Sequence, residues 1–325
     1  MPRSVGLLLG LALVLGIGAG SPLRGAEAPA PPARVGAVKV LILSTMVADA
    51  GIGEWGFAAL VEADGHRILF DTGARPDTVL KNAQELKVDL AGVKDVVLSH
   101  NHSDHTGGLV ALRREYARAD PAALSRAWVG RGIFLPRSGL ASSGGMPATK
   151  AAYESAGGSF VELDGPRELF PGVWITGPVP RVHPERNWSG RGQIQTDRGP
   201  AEDNLPEDQA LVFDTDKGLV VLFGCGHAGV VNTLLHARHV VRDAPIHAVL
   251  GGLHLFEKDD AALDWTAERM RELSVANLMG AHCTGFEAVY HLRARLGLDR
   301  RHCVVGAVGA SFTLDGGIDP GDLAR

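Results

Sequence analysis

Six consecutive residues constrain this chain more than any others: His100-Asn101-His102-Ser103-Asp104-His105, one residue beyond the apolar run Val96-Val97-Leu98. Such a run reads as a buried β-strand, so four ligand-type side chains arrive together at its C-terminal end. Imidazoles and a carboxylate are the donors zinc prefers, and the same set suits iron or manganese. Residues two apart in an extended segment point the same way, so His100 and His102 can clamp one ion. The chain then turns, and Asp104 and His105 can face a second position. Gly107-Gly108 follows, where the missing side chains let the backbone pass close to the cluster and start a helix.

The rest of the chain can support such a centre. Its 325 residues are 45% hydrophobic and 21% charged, as in folded globular domains. A net charge of -5 without a dense Lys/Arg run lacks the basic footprint of nucleic-acid binding. The expected partner is therefore a small-molecule substrate and no nucleic acid. Arg3, the apolar run Val5 to Ala19 and the small residues beyond it have the parts of a signal peptide, expected over residues 1–28 with cleavage at Ala26-Glu27-Ala28. The run is short of the roughly 20 residues of a membrane span. No stable span is expected after cleavage, and the mature chain is expected to be exported, periplasmic or secreted; an uncleaved anchor is the alternative. An Ala/Pro-rich linker at 29–35 leads into one domain at 36–325. Nothing in the sequence sets the oligomeric state. Cys225, Cys283 and Cys303 are too few and odd in number for a disulfide framework, and two of them lie beside candidate ligands.

Patterning predicts mixed α/β structure. Strands are expected at Val38 to Leu43, Phe57 to Glu62, His66 to Asp71 and Val96 to Leu98, with Ala63-Asp64-Gly65 as a hairpin turn. Further strands are expected at Phe160 to Leu163, Val173 to Thr176, Ala210 to Asp214, Leu219 to Phe223, Val249-Leu250 and Ala276 to Met279. Helices are expected after Pro76, at Thr106 to Ala119, at Asp260 to Leu273 and at Phe286 to Leu296, the last closed by Gly297. Two similar halves of this kind fit sheets packed face to face with helices outside, a four-layer αββα sandwich. The polar stretch Pro180 to Glu207 fits no element and is expected to be a lid or wall over the site, or disordered.

The segment Ser99 to Gly108 resembles the His-x-His-x-Asp-His signature of the metallo-β-lactamase superfamily, and Phe70-Asp71-Thr72-Gly73 resembles its upstream motif. Glu54-Trp55-Gly56, Gly224-Cys225-Gly226-His227-Ala228-Gly229, Gly251-Gly252-Leu253-His254-Leu255 and His282-Cys283-Thr284-Gly285 resemble one subgroup. That subgroup is named for an archaeal dihydropterin ribofuranosylaminobenzene phosphate synthase. The resemblance implies that His227 and His282 complete a metal set with His100, His102, Asp104 and His105, holding two divalent ions. Cys225 stands where relatives carry a bridging Asp or a Cys; it is a metal ligand or a small buried residue. Asp71 is a support behind the ligands, a turn cap, or both. His254 either contacts substrate or donates a proton, or is a satisfied histidine at a strand end. His183, in the long polar stretch, either reaches the site or does not. His66, His236, His239, His291 and His302 read as surface histidines.

A metal pair would bring a bound water towards a pKa of about 7 and stabilise charge developing on a carbonyl or phosphorus, with Asp104 orienting the nucleophile. The expected function is hydrolysis of an ester, lactone or phosphodiester. The alternatives are a transferase of the named synthase type, a single-iron oxygenase, or a non-catalytic binding protein. The apparent signal segment counts against the synthase activity, because such a biosynthetic step belongs in the cytoplasm.

Overall fold

The computed structural model describes residues 1–2, 6, 33–138, 145–188 and 191–322. The signal-like segment and most of the Ala/Pro linker lie outside the described residues. The chain divides into a unit Met1–Pro31 and a unit Pro32–Arg325, and the second is described below. Among the described residues no helix is long and apolar enough to cross a membrane.

The second unit begins with β1 (Val38–Ser44), β2 (Ala58–Ala63), β3 (His66–Phe70), α1 (Thr78–Glu85), β4 (Asp95–Val97), α2 (Ser103–Thr106) and α3 (Leu109–Tyr116). β5 (Arg126–Gly130), β6 (Arg137–Ser138), α4 (Gly145–Ser155), β7 (Ser159–Leu163), β8 (Arg167–Phe170) and β9 (Val173–Ile175) follow. Next come β10 (Gln193–Thr196), β11 (Gly199–Glu202), β12 (Leu211–Thr215), β13 (Gly218–Phe223), α5 (Val230–Val240), β14 (Ile246–Gly252) and α6 (Asp260–Glu272). The chain closes with β15 (Asn277–Ala281), a short turn of 3-10 helix at His282–Thr284, α7 (Phe286–Leu296), β16 (Cys303–Val305), β17 (Ser311–Thr313) and β18 (Gly317–Asp319).

Two large sheets result. One has the order β18-β17-β1-β2-β3-β4-β5-β7, the other β16-β15-β14-β13-β12-β9-β8. Alternation along each strand builds the layers. Ala59 and Val61 of β2 face Val220 and Leu222 of β13 in the core between the sheets. Ala58 and Leu60 point the other way, into a layer with Val79 of α1 and Leu112 of α3. Val221 and Phe223 pack outward against Leu234 of α5 and Met270 of α6. The result is the expected helix-sheet-sheet-helix sandwich.

Three local expectations need correction. Pro180 to Glu207 is not without structure: β10 and β11 form a hairpin there and join β6 in a small third sheet. The helix expected from Thr106 to Ala119 is two, α2 and α3. Its continuity breaks because the Gly107 amide bonds Gly73 O at 2.9 Å instead of the preceding turn. His236 is not a surface residue but half-buried, with Nε2 3.1 Å from Thr176 O.

A Cβ at Gly107 would lie 2.0 Å from Ala74 O, and one at Gly108 2.2 Å from Thr72 O. These glycines let the backbone behind the His cluster touch the loop after β3. Gly107→Ala is expected to destabilise the domain by about 3 kcal/mol, visible as a Tm lowered by several degrees. An unchanged Tm would show that the contact relaxes freely.

Candidate metal centre

The ends of parallel strands deliver the centre. β3, β4 and β5 run parallel in one sheet, and β13, β14 and β15 in the other. Ligands in α/β proteins gather beyond the carboxyl ends of such strands. Asp71 follows β3, His100 to His105 follow β4, Cys225 and His227 follow β13, His254 follows β14, and His282 follows β15. Asp71, His254 and His282 all take left-handed backbone, with φ of 56°, 49° and 47°. For residues other than glycine that conformation persists only where the surroundings impose it.

Ligand-type atoms come together in adjoining groups, the atoms of each lying within 4.8 Å of one another. His100, His102 and His227 form one group, and Asp104, His105 and His282 another. Cys225 joins His100 and His105 on one side, and His254 and Cys283 on the other. Residues 178 positions apart, Asp104 and His282, thus meet at 3.3 Å. The stretch from β4 supplies donors to both groups, as the alternation of its side chains suggests.

Three of the buried rings are aimed by the nitrogen they turn away from the centre, whereas the buried Nδ1 of His282 has no partner. His105 Nδ1 is 2.7 Å from Asp71 Oδ2, His100 Nδ1 is 2.9 Å from Ser99 Oγ, and His227 Nδ1 meets the Asn187 carbonyl. Such outward bonds select the tautomer that leaves Nε2 with a lone pair. The buried Nε2 atoms of His100 and His227 then have no protein partner. An unpaired buried polar atom is costly, and an ion bound at Nε2 would satisfy both. The donor chemistry therefore fits divalent metal.

Electrostatics supports the same assignment. Burial, reinforced by neighbouring imidazoles, pushes His100 well below the ordinary histidine value, and His227 likewise. Burial brings His102 down to about 4, against the pull of Asp104. These rings are neutral, as metal ligation requires. Burial raises Asp104, but His105, His282 and His102 outweigh it and hold the carboxyl ionised. His282 is the exception among the rings: burial opposes its charge, yet Cys283 and Asp104 outweigh burial and raise it to about 10, so an ion bound there would have to displace its proton.

Asp71 stands behind the donors, not among them. Its carboxylate accepts from Ser99 N at 2.7 Å, Ser99 Oγ at 2.7 Å and His105 Nδ1. His254 lies at the rim with its ring 4.5 Å from that of His227 and a buried Nδ1 that has no partner. His183 does not enter the centre; its ring is 6.0 Å from Trp265.

Several supports stand outside the ligand set read from the sequence. Glu54 is buried and accepts from Ser44 Oγ, Ala74 N, Arg75 N and Thr78 Oγ1, pinning the loop after β3. Glu207 accepts from Asn101 N at 3.2 Å and Arg137 Nη2 at 2.7 Å. With the Asn187 carbonyl on His227, this makes the polar stretch a wall of the centre. The tract Glu54-Trp55-Gly56 pointed to Glu54; the Asn187 carbonyl, a backbone group, leaves no trace in a sequence. On the open side Trp55 (47% exposed) and Phe256 (42% exposed) meet edge to face at 5.4 Å. Trp55 lies 4.9 Å from the His282 ring.

The model of the metallo-β-lactamase superfamily matches residues 56–118, the span from the first hairpin through the His cluster. Fold, strand-end donors and motif agree: the chain has the metallo-β-lactamase fold and carries a match to that superfamily over the segment that holds the His cluster. The chain is similar to the 7,8-dihydropterin-6-methyl-4-(β-D-ribofuranosyl)-aminobenzene-5'-phosphate synthase of Methanocaldococcus jannaschii. The two are 28% identical over 242 residues, 72% of this chain and 82% of that one. A solved structure described as Tm1679, a metal-dependent hydrolase of the β-lactamase superfamily, is 26% identical. It superposes with a TM-score of 0.68 over 85% of this chain and 98% of that one. A diphosphatase of the PhnP family shares the fold at 13% identity and a TM-score of 0.50, over 86% and 97% of the two chains.

Proposed function

We propose that this chain is a metal-dependent hydrolase holding two divalent ions, zinc by preference, and cleaving an ester, lactone or phosphodiester bond in a small molecule. His100, His102 and His227 would hold one ion, and Asp104, His105 and His282 the other. The observation that carries the reading is the pair of buried, partnerless Nε2 atoms on His100 and His227, aimed by bonds at their Nδ1 atoms. Bound ions supply Lewis-acid polarisation of the substrate oxygen and acidify water at the centre.

The side chains do the remaining work. Asp104, kept ionised, accepts a hydrogen bond from the attacking water and fixes its direction. His254 is placed at the rim to hand a proton to the leaving oxygen. Asp71 and the Asn187 carbonyl keep the His105 and His227 rings turned inward. Trp55 and Phe256 give an apolar part of the substrate a surface to lie on. Export through residues 1–28, cleaved before the domain, belongs to the same proposal.

The relative in Methanocaldococcus jannaschii supports a second reading, group transfer of the synthase type. A panel of an aryl phosphodiester, an aryl ester and a lactone, supplied to the zinc- or manganese-loaded chain, separates the two. Turnover of one class, lost on chelation and restored by metal, is expected. A chain that carries two ions yet turns over none of the three would favour transfer. On the substrate that is turned over, Trp55→Ala is expected to raise KM about tenfold with kcat nearly kept, as loss of uniform binding does. A fall in kcat at constant KM would remove Trp55 from substrate binding.

A further inference from the structure

The hydrolytic reading gives Cys283 no role, yet its position is unusual. Its Sγ lies 3.2 Å from Cys225 Sγ, and Cys225 Sγ lies 3.1 Å from His105 Nε2. Both thiols are buried and free. They follow β13 and β15, two strands that β14 separates. Gly252 at the end of β14 is what allows them to meet. A Cβ there would come within 2.1 Å of Gly224 O and 3.1 Å of Cys283 Sγ. Cys303 takes no part; it packs in the layer between β16 and the helices, with Sγ 3.6 Å from Val289 O.

We propose that Cys225 and Cys283 are an oxidisable dithiol, a modification site in the floor of the metal centre whose state controls metal binding. Cys225 borders the donors at His105 and Cys283 borders His254 at the rim, so a peroxide entering the centre meets the pair. One sulfur attacks hydrogen peroxide: an S–O bond forms, the O–O bond breaks, and water leaves with the thiol proton. The other thiol then attacks the sulfenic sulfur: the S–S bond forms, the S–O bond breaks, and a second water carries off its proton. Two electrons pass from the thiols to one peroxide. Closing the pair to a bond of about 2.05 Å draws the Cys225 sulfur away from His105 and removes a thiol that could ligate. Metal at the donors blocks the peroxide's approach, so metal and disulfide exclude one another.

The test uses the whole domain, first unaltered and then with single cysteine variants. The chain is treated with hydrogen peroxide, either after chelation or with zinc added first, then denatured, alkylated and digested for mass spectrometry. Chelated protein is expected to give a Cys225–Cys283 peptide, about 2 Da lighter than its thiols and restored by dithiothreitol, with Cys303 alkylated. Zinc is expected to slow the reaction at least about tenfold, and the oxidised chain to retain less zinc on dialysis than the reduced one. Cys303→Ser is expected to form the same link, and Cys283→Ser to form none. Three free thiols after peroxide, a link through Cys303, or equal rates with and without zinc would each overturn the proposal.

Discussion

His102→Ala is expected to lose one divalent ion per chain and to lower turnover at least about a thousandfold, which corresponds to about 4 kcal/mol of barrier. The position suits the experiment. The His102 ring lies 4.6 Å from that of His100 and 4.9 Å from that of His227, yet His102 is only partly buried and precedes the short helix α2. Truncating it opens no hole in the apolar core, so the variant is expected to keep its circular dichroism while its metal content falls. Metal per chain is read by mass spectrometry on both proteins, as purified and after reconstitution. An unchanged metal content would place the ion elsewhere. A single iron in the unaltered chain would move the reading to oxygen chemistry, and no metal even on reconstitution would sink it.

The second large effect is expected at Asp71. Its carboxylate serves three donors and is wholly buried. Asp71→Ala leaves all three without a partner, at a cost of about 3–5 kcal/mol, so a folding defect is expected. Asp71→Asn is the more informative change because it preserves size. Its amide would present N–H to His105 Nδ1, where a proton already sits. The ring is then driven to carry its proton on Nε2, the nitrogen aimed at the centre. Metal affinity is expected to fall about 10- to 100-fold, read by competition with a chromophoric chelator. Because Asp104, His105 and His282 form their own group, one ion should be lost well before the other. Equal loss of both, or of neither, would remove Asp71 from control of His105.

How much of this could be read from residues alone depended on whether a feature was local. The β2–β3 hairpin was legible because Asp64-Gly65 joins two alternating runs, and the donors were legible because each follows an apolar strand. The layers followed from the same alternation. The hairpin β10–β11 escaped because among the residues of β10 only Ile194 is buried, so no alternation marks it. α5 also escaped. Its first turns are buried on every side, which blurs the helical period. β17 is three residues long and exists by pairing with β1 across most of the chain; nothing local announces it. Glu207 belongs to the same class, since a buried carboxylate and a solvated one look alike until the donors around them are placed; Glu54 was marked by its tract, but not its role.

Each donor group draws on both sheets: His100 to His105 hang from one, and His227 and His282 from the other. An ion in either group would therefore act as a rivet across the seam of the sandwich, adding to the apolar core and to hydrogen bonds such as Gln209 Nε2 to Leu98 O and His282 N to Thr45 Oγ1. Its binding free energy adds to the cohesion of the fold as RT ln(1 + [M]/Kd). Metal starvation would then be felt first as loosened docking of one half on the other, and the supply of ions would set the lifetime of the protein as well as its chemistry.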